Sequence, residues 1–220
     1  MNNKVLILSA HPDDEILGCG GVIQKHKEEN DQISVCIVTD GCSSQYPDDE
    51  VIANQKNAET QKVKQFLKID NYFYLDFPDM KLDSVAHLDI NKEISKIVSK
   101  IKPQIIYTHS PTDLNMDHRQ VYYSTEVVTR PLNNYLKKVY TYETLSSTEW
   151  RKEQAFIPNT FVNIKPYINK KIKALSFYES ETRDYPHSRS LKGIEILAQY
   201  RGLQTGLEFA EAFRLITNYD

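Results

Sequence analysis

The stretch Val5-Leu6-Ile7-Leu8-Ser9-Ala10-His11-Pro12-Asp13-Asp14-Glu15 decides the reading of the whole chain. Its apolar tetrad reads as a buried strand. The chain then turns at a proline, collects acidic residues, and from Glu15 to about Glu29 reads as a helix. Strand, polar turn and helix in immediate succession form the opening unit of an α/β sheet.

The same alternation continues outward. Ile33 to Thr39 is a second strand, rich in β-branched residues and closed by Asp40-Gly41. Asp49 to Lys68 is charged, with Val63, Phe66 and Leu67 at helical spacing, and Tyr72 to Leu75 is a short third strand. Ile90, Ile94, Ile97, Val98 and Ile101 form one stripe of a helix that Pro103 stops, and Gln104 to Thr108 is a fourth strand. A helical stretch after His118 ends at Arg130-Pro131, and Val139 to Thr144 is a fifth strand. This order predicts an α/β fold: a Rossmann-like, mostly parallel sheet with helices on both faces. Farther on, Phe161 to Ile164 reads as a strand and Pro166 opens a helix to about Tyr178. A polar segment spans Glu179 to Ser190, and a helical region interrupted near Gly202 and Gly206 runs from about Leu191 to Phe213. The expectation is a single domain over 1–220. Its Rossmann-like core covers 1–145, and a smaller C-terminal α/β extension over 146–220 shapes the substrate pocket.

Composition narrows the function classes. At 220 residues, 40% hydrophobic and 26% charged, the chain is neither disordered nor fibrous. No apolar run approaches the roughly 20 residues of a membrane span, and Val5 to Leu8 is too short for a signal-peptide core. A net charge of -3 without a dense Lys/Arg run argues against nucleic acid as a partner. Cys19, Cys36 and Cys42 form no C-x-x-C and no even set, which fits reduced thiols in a cytoplasm. Oligomeric state is left open.

In a doubly wound sheet the ligand crevice lies at the carboxyl ends of the strands, where His11 to Asp14 fall. A His and an Asp three residues apart on a tight turn can converge on one cation, and Pro12 stiffens that turn. Adjacent carboxylates resist burial unless a metal or proton holds them. The plainer alternative is a helix start whose acids answer the helix dipole. A second cluster, Asp113-Leu114-Asn115-Met116-Asp117-His118-Arg119, follows the fourth strand. If that strand lies beside the first, the loop carrying His118 faces the His11–Asp14 turn across the switch point. Two His and one Asp with an open position describe a catalytic zinc site, and the same set suits Fe2+. His118 alone would read as a cap or surface histidine. Asp117, beside His118, is expected to orient a ring of the site, or else to cap a helix. Gly18-Cys19-Gly20-Gly21 lacks the G-x-G-x-x-G spacing and reads as close helix–sheet packing. Cys42 reads as a buried thiol, His26 and His87 as surface residues, and His109 as an ordinary packed or surface histidine.

The chain resembles the PIG-L/LmbE-like zinc-dependent N-deacetylases, which remove acetyl groups from N-acetylglucosamine-type sugars. The likeness rests on His11-Pro12-Asp13-Asp14-Glu15, Thr39-Asp40-Gly41, the helix from Lys56 to Leu67, Asp79 in Phe77-Pro78-Asp79, and Asp117-His118. It covers about the first 130 residues. It implies His11, Asp14 and His118 as zinc ligands, Asp13 as general base, Lys56 at a family arginine position, and Asp79 as a group that binds a sugar hydroxyl. One departure stands out. Many members carry a histidine where this chain has Asn115, and an amide can donate to an oxyanion but cannot deliver a proton near neutral pH. Either Asp13, once protonated, returns its proton to the amine, or another residue supplies one, with His187 and His109 the histidines available. The segment Pro186-His187-Ser188-Arg189-Ser190 resembles surface-polysaccharide biosynthesis enzymes, which implies a nucleotide- or lipid-linked sugar. Arg183, Tyr185, His187 and Arg189 would suit a phosphate-bearing sugar, unless the loop is an exposed connector whose arginines pair with Glu179 and Glu181. The competing functions are an amidohydrolase of another N-acylated metabolite and a non-catalytic metal-containing sugar-binding module. The intact Asp13 speaks against the latter, and the glycine spacing speaks against a nucleotide-cofactor oxidoreductase.

Overall fold

The computed structural model describes residues 2–44, 49–132 and 134–219. Five strands run parallel: β1 (Lys4–Ser9), β2 (Gln32–Thr39), β3 (Asn71–Phe77), β4 (Ile105–His109) and β5 (Lys138–Tyr142). Two more, β6 (Thr160–Asn163) and β7 (Ala210–Asn218), extend the same sheet, with β7 antiparallel to both its neighbours. The order is β3-β2-β1-β4-β5-β7-β6. β1 and β4 are therefore adjacent, and the connections diverge to opposite sides there, which opens the crevice that α/β sheets use for ligands.

Helices α1 (Asp14–Glu28), α2 (Glu50–Leu67), α3 (His87–Ile101), α4 (Met116–Val128), α5 (Ile168–Leu175) and α6 (Leu191–Leu203) cover the sheet. Alternation along β1 divides the core in two. Val5 and Ile7 pack with α1, α2, α5 and α6, through Ile16, Val63, Leu175 and Ile194. Leu6 and Leu8 pack on the other face with Ile90, Ile94 and Val98 of α3 and Val121 of α4. Burial on both faces explains why β1 is continuously apolar. Gly18 is needed where α1 crosses the sheet, since a Cβ there would lie 2.2 Å from Tyr142 Cδ2. Among the described residues, no helix is long and apolar enough to cross a membrane.

The C-terminal region departs from expectation. The helix beginning at Leu191 stops at Leu203, and the segment read as its continuation to Phe213 enters β7 instead. Gly206, at φ 72°, turns the chain after α6. Ala210-Glu211-Ala212 has helical propensity, but tertiary pairing overrides it. Glu211 is tolerable in that buried strand because Lys171 Nζ donates to it at 2.6 Å, and the Gly21 and Val22 backbone N–H groups donate at 2.7 Å. Two smaller expectations also fail. His26 is buried between Asp31 and the Tyr107 hydroxyl, and Cys42 is half-buried.

Candidate active site

The site forms where β1 and β4 end side by side. After Ser9 the chain turns through His11 and Pro12 into α1, whose N-cap is Asp13. Asp13 holds φ 107°, a left-handed value that a non-glycine residue adopts at a cost of about 1–3 kcal/mol. Glu15, fully buried, anchors this turn. Its carboxylate accepts the Asp13 N–H at 3.1 Å and the hydroxyls of Tyr72 at 2.7 Å and Tyr178 at 2.6 Å. Gly41, at φ 69°, packs under Pro12, where a Cβ would sit 2.6 Å from Pro12 Cδ.

Across the crevice, His118 lies in the first turn of α4 rather than in a loop, because Asn115 caps that helix by accepting the Asp117 N–H at 2.8 Å. The turn brings His118 to His11 and Asp14. His11 Nδ1 is 3.2 Å from His118 Nε2 and 3.3 Å from Asp14 Oδ2, and His118 Nε2 is 3.4 Å from the same oxygen. Tetrahedral ligands at about 2.0–2.2 Å from one zinc stand about 3.3–3.6 Å apart. The triangle therefore fits one small divalent ion, and its two imidazoles and one carboxylate are the donors such an ion takes. The surroundings also call for positive charge. Burial alone would lower the His11 pKa, but the carboxylates of Asp117, Asp14 and Asp79 outweigh it and hold the ring well above the usual histidine value.

The groups behind the triangle are acidic. Asp117 meets the ring of His11 rather than that of its sequence neighbour His118. Its Oδ2 lies 3.3 Å from His11 Nε2, and its Oδ1 accepts the Leu82 N–H at 3.0 Å. The same His11 nitrogen is 3.3 Å from Asp79 Oδ1. The residue facing His118 is Asp113, whose Oδ2 is 3.1 Å from His118 Nδ1, a charge contact rather than an aligned hydrogen bond. Burial works to raise the Asp113 carboxyl, yet His118, His109 and the Ser147 hydroxyl hold it well below the usual range. His109 is fully buried and stacks on His118 with ring centroids 3.9 Å apart. Desolvation, aided by His118, lowers its pKa to about 4. Its Nε2 accepts the Ala10 N–H at 2.9 Å, and the ring is a packing and orienting element.

A cavity of about 420 Å³ opens above the triangle, within the range of small-molecule sites. Asp13 lines it with one carboxylate oxygen, Oδ2, that is buried without a hydrogen-bond partner and lies 3.5 Å from Arg189. Burial chiefly raises the Asp13 carboxyl well above its usual value; Arg189 opposes this, and Asp14, Glu181 and Glu15 add to it. Lys56, Asp79, Asn115 and Arg189 also reach the wall. His187 does not. It packs edge-on to Trp150, 5.6 Å between centroids, and only Trp150 faces the cavity. Sequence reasoning missed Glu15, Asp113 and Glu181. Asp113 stood inside the quoted second cluster, five residues before His118, whereas Glu181 has no local signal beyond its charge.

The comparisons with known proteins agree with this geometry. Residues 6–129 match the PIG-L family, described as GlcNAc-PI de-N-acetylase. The uncharacterized deacetylase YaiS of Escherichia coli (strain K12) is 30% identical over 185 residues, covering 80% of this chain and 90% of that protein. The diacetylchitobiose deacetylase of Thermococcus kodakarensis is 26% identical over 228 residues, covering 97% of this chain and 83% of that protein. Among solved structures, the 4-carboxy-2-hydroxymuconate hydratase GalB of Pseudomonas putida KT2440 has a TM-score of 0.79 at 18% identity, covering 99% of this chain and 98% of that one. A hydratase on this fold shows that the fold alone does not choose the chemistry. The family match spans more than half of the chain and includes the turn and helix that build the triangle, so this chain belongs to the PIG-L family of de-N-acetylases.

Proposed function

We propose that the chain is a zinc-dependent N-deacetylase that hydrolyses the acetamide of an N-acetylated amino sugar. The observation that carries this reading is the His11–Asp14–His118 triangle, with Asp13 beside it in the cavity wall, its buried Oδ2 without a hydrogen-bond partner. A divalent cation held by these three residues would bring the pKa of water down towards about 7 and polarise the amide carbonyl. Asp13 takes the proton from the attacking water. Once protonated, it passes that proton to the departing amine nitrogen as the C–N bond breaks. Acetate and the free amine are the products. This double duty removes the need for a histidine donor, which matters because Asn115 stands where one would be and His187 lies off the wall. Asn115 caps α4 through its Oδ1, which leaves its Nδ2, now 3.4 Å from Met80 Sδ, to donate to the carbonyl oxygen. Asp79 and Lys56 stand in the wall to meet sugar hydroxyls.

The test is a free-amine assay on N-acetylated sugars with protein stripped of metal and then reloaded with zinc. Amine release that is lost on stripping and restored by zinc supports the reading. Equal activity without metal overturns it.

A further inference from the structure

Lys56 and Arg189 are the side chains in this pocket that would greet a phosphate. Both are already engaged by one residue. Glu181 Oε1 lies 2.7 Å from Lys56 Nζ, and Glu181 Oε2 lies 2.8 Å from Arg189 Nη1. Lys56 also donates to the Gly41 carbonyl at 2.6 Å, and Arg189 Nε donates to the Ser146 hydroxyl at 3.0 Å. Three long side chains, one from α2 and two from the segment after α5, are thereby tied into one bridge along the wall of the cavity.

We propose that Glu181 is a specificity-determining residue, a built-in counter-ion that reserves the pocket for uncharged acetamido sugars and rejects phosphate-bearing ones. The proposal rests on the deacetylase reading above and names its substrate class. Two observations support it. The first is charge. Among the described residues, Asp13, Asp14, Asp79, Asp83, Asp117 and Glu181 line the cavity against Lys56 and Arg189, beside the two imidazoles His11 and His118 that would hold the ion. Even with a divalent ion bound and Asp13 protonated, the wall remains negative. A phosphate would have to displace Glu181 from both cations and then sit among the remaining carboxylates, a like-charge arrangement that interfaces use to exclude wrong partners. The second is the rest of the rim. Met80, Leu114, Met116 and Trp150 line the opening at 51%, 49%, 41% and 49% exposure. Solvent-exposed apolar groups beside a polar cavity mark a binding surface. A half-exposed indole there offers apolar surface to a second pyranose ring and no charge to a diphosphate.

The experiment compares the zinc-loaded parent with Glu181→Gln. The substrates are N-acetylglucosamine and N,N'-diacetylchitobiose, which are uncharged, and N-acetylglucosamine 1-phosphate and UDP-N-acetylglucosamine, which are anionic. In the parent, kcat/KM for the uncharged disaccharide should exceed that for either phosphate ester by at least about tenfold. In Glu181→Gln the ratio of anionic to uncharged kcat/KM should rise about tenfold, mainly through KM. A parent that prefers the phosphate esters, or a ratio unmoved by the substitution, overturns the proposal. Calorimetric binding of the same sugars to the parent and the variant runs alongside. If no sugar is turned over, the deacetylase reading falls, while the binding ratio still decides the role of Glu181.

Discussion

The two sides of the cavity are built on different principles. The metal-binding side uses short side chains fixed to regular structure: Asp14 opens α1 and His118 lies in the first turn of α4, each only 3% exposed. The facing side uses long side chains, with Lys56, Glu181 and Arg189 at 12%, 18% and 27% exposure, and two of the three come from the segment between α5 and α6. Short buried groups lose little rotamer freedom and hold their positions to within the tolerance that chemistry needs. Long half-buried ones keep freedom to rearrange around a ligand. The comparison assigns reaction to the rigid side and recognition to the adjustable one, and substitutions on the two sides should accordingly fail in different ways.

The largest failures belong to the rigid side. His118→Ala removes one corner of the triangle, so bound metal should fall to trace levels by elemental analysis and turnover to background. Full metal retention in that variant would remove His118 from the ligand set. Asp13→Asn should behave differently, keeping the metal while kcat drops by about 10²–10⁴-fold, the range that acid–base groups supply. A near-parental rate would end its role as base. An intermediate effect is expected one layer out. Asp113→Asn removes the carboxylate that faces His118 Nδ1 at 3.1 Å, and such outer partners are worth about 10–100-fold in metal affinity. Chelator competition measures this directly, and an unchanged affinity would reduce Asp113 to a packing residue.

The same contrast explains what could be read from the sequence. The rigid side was legible because its residues are nearly contiguous. His11 and Asp14 share one turn, and His118 follows the strand that the doubly wound order places beside β1. The parallel half of the sheet was legible because burial on both faces leaves unbroken apolar strands such as Val5 to Leu8. The adjustable side was not. Glu181 lies 125 residues from Lys56 in the chain, and no local pattern pairs them. The sequence could not say which ring Asp117 meets: adjacent helical residues point in different directions, and Asp117 turns to His11 rather than to its neighbour His118. The strand β7 was hidden for a related reason. Its acid, Glu211, makes sense only against Lys171 and the α1 backbone, partners that sequence proximity cannot reveal.

The smallest expected effect tests whether the rigid side owes its rigidity to Glu15. That carboxylate is fully buried, and it spans three donors: the Tyr72 and Tyr178 hydroxyls on Oε1, and the strained Asp13 N–H on Oε2. Tyr178→Phe deletes one donor and leaves the other two, so the loss is one hydrogen bond to a charged acceptor, about 1.5–3 kcal/mol of stability. Because the ring stays, the packing of Tyr178 in the core is preserved, and the change isolates the hydroxyl. With Glu15 less firmly held, Asp13 should relax away from φ 107° in part of the population, and kcat should fall by no more than about tenfold while KM and metal content stay at the parental level. Removing an outer contact gives the contrast. Lys192→Ala breaks an exposed pair with Glu195 and should change neither stability, beyond about 0.5 kcal/mol, nor kcat. If Tyr178→Phe lowers stability but leaves kcat untouched, Glu15 anchors the fold without setting Asp13, and the rigidity of the reacting side must come from the sheet and helix starts alone.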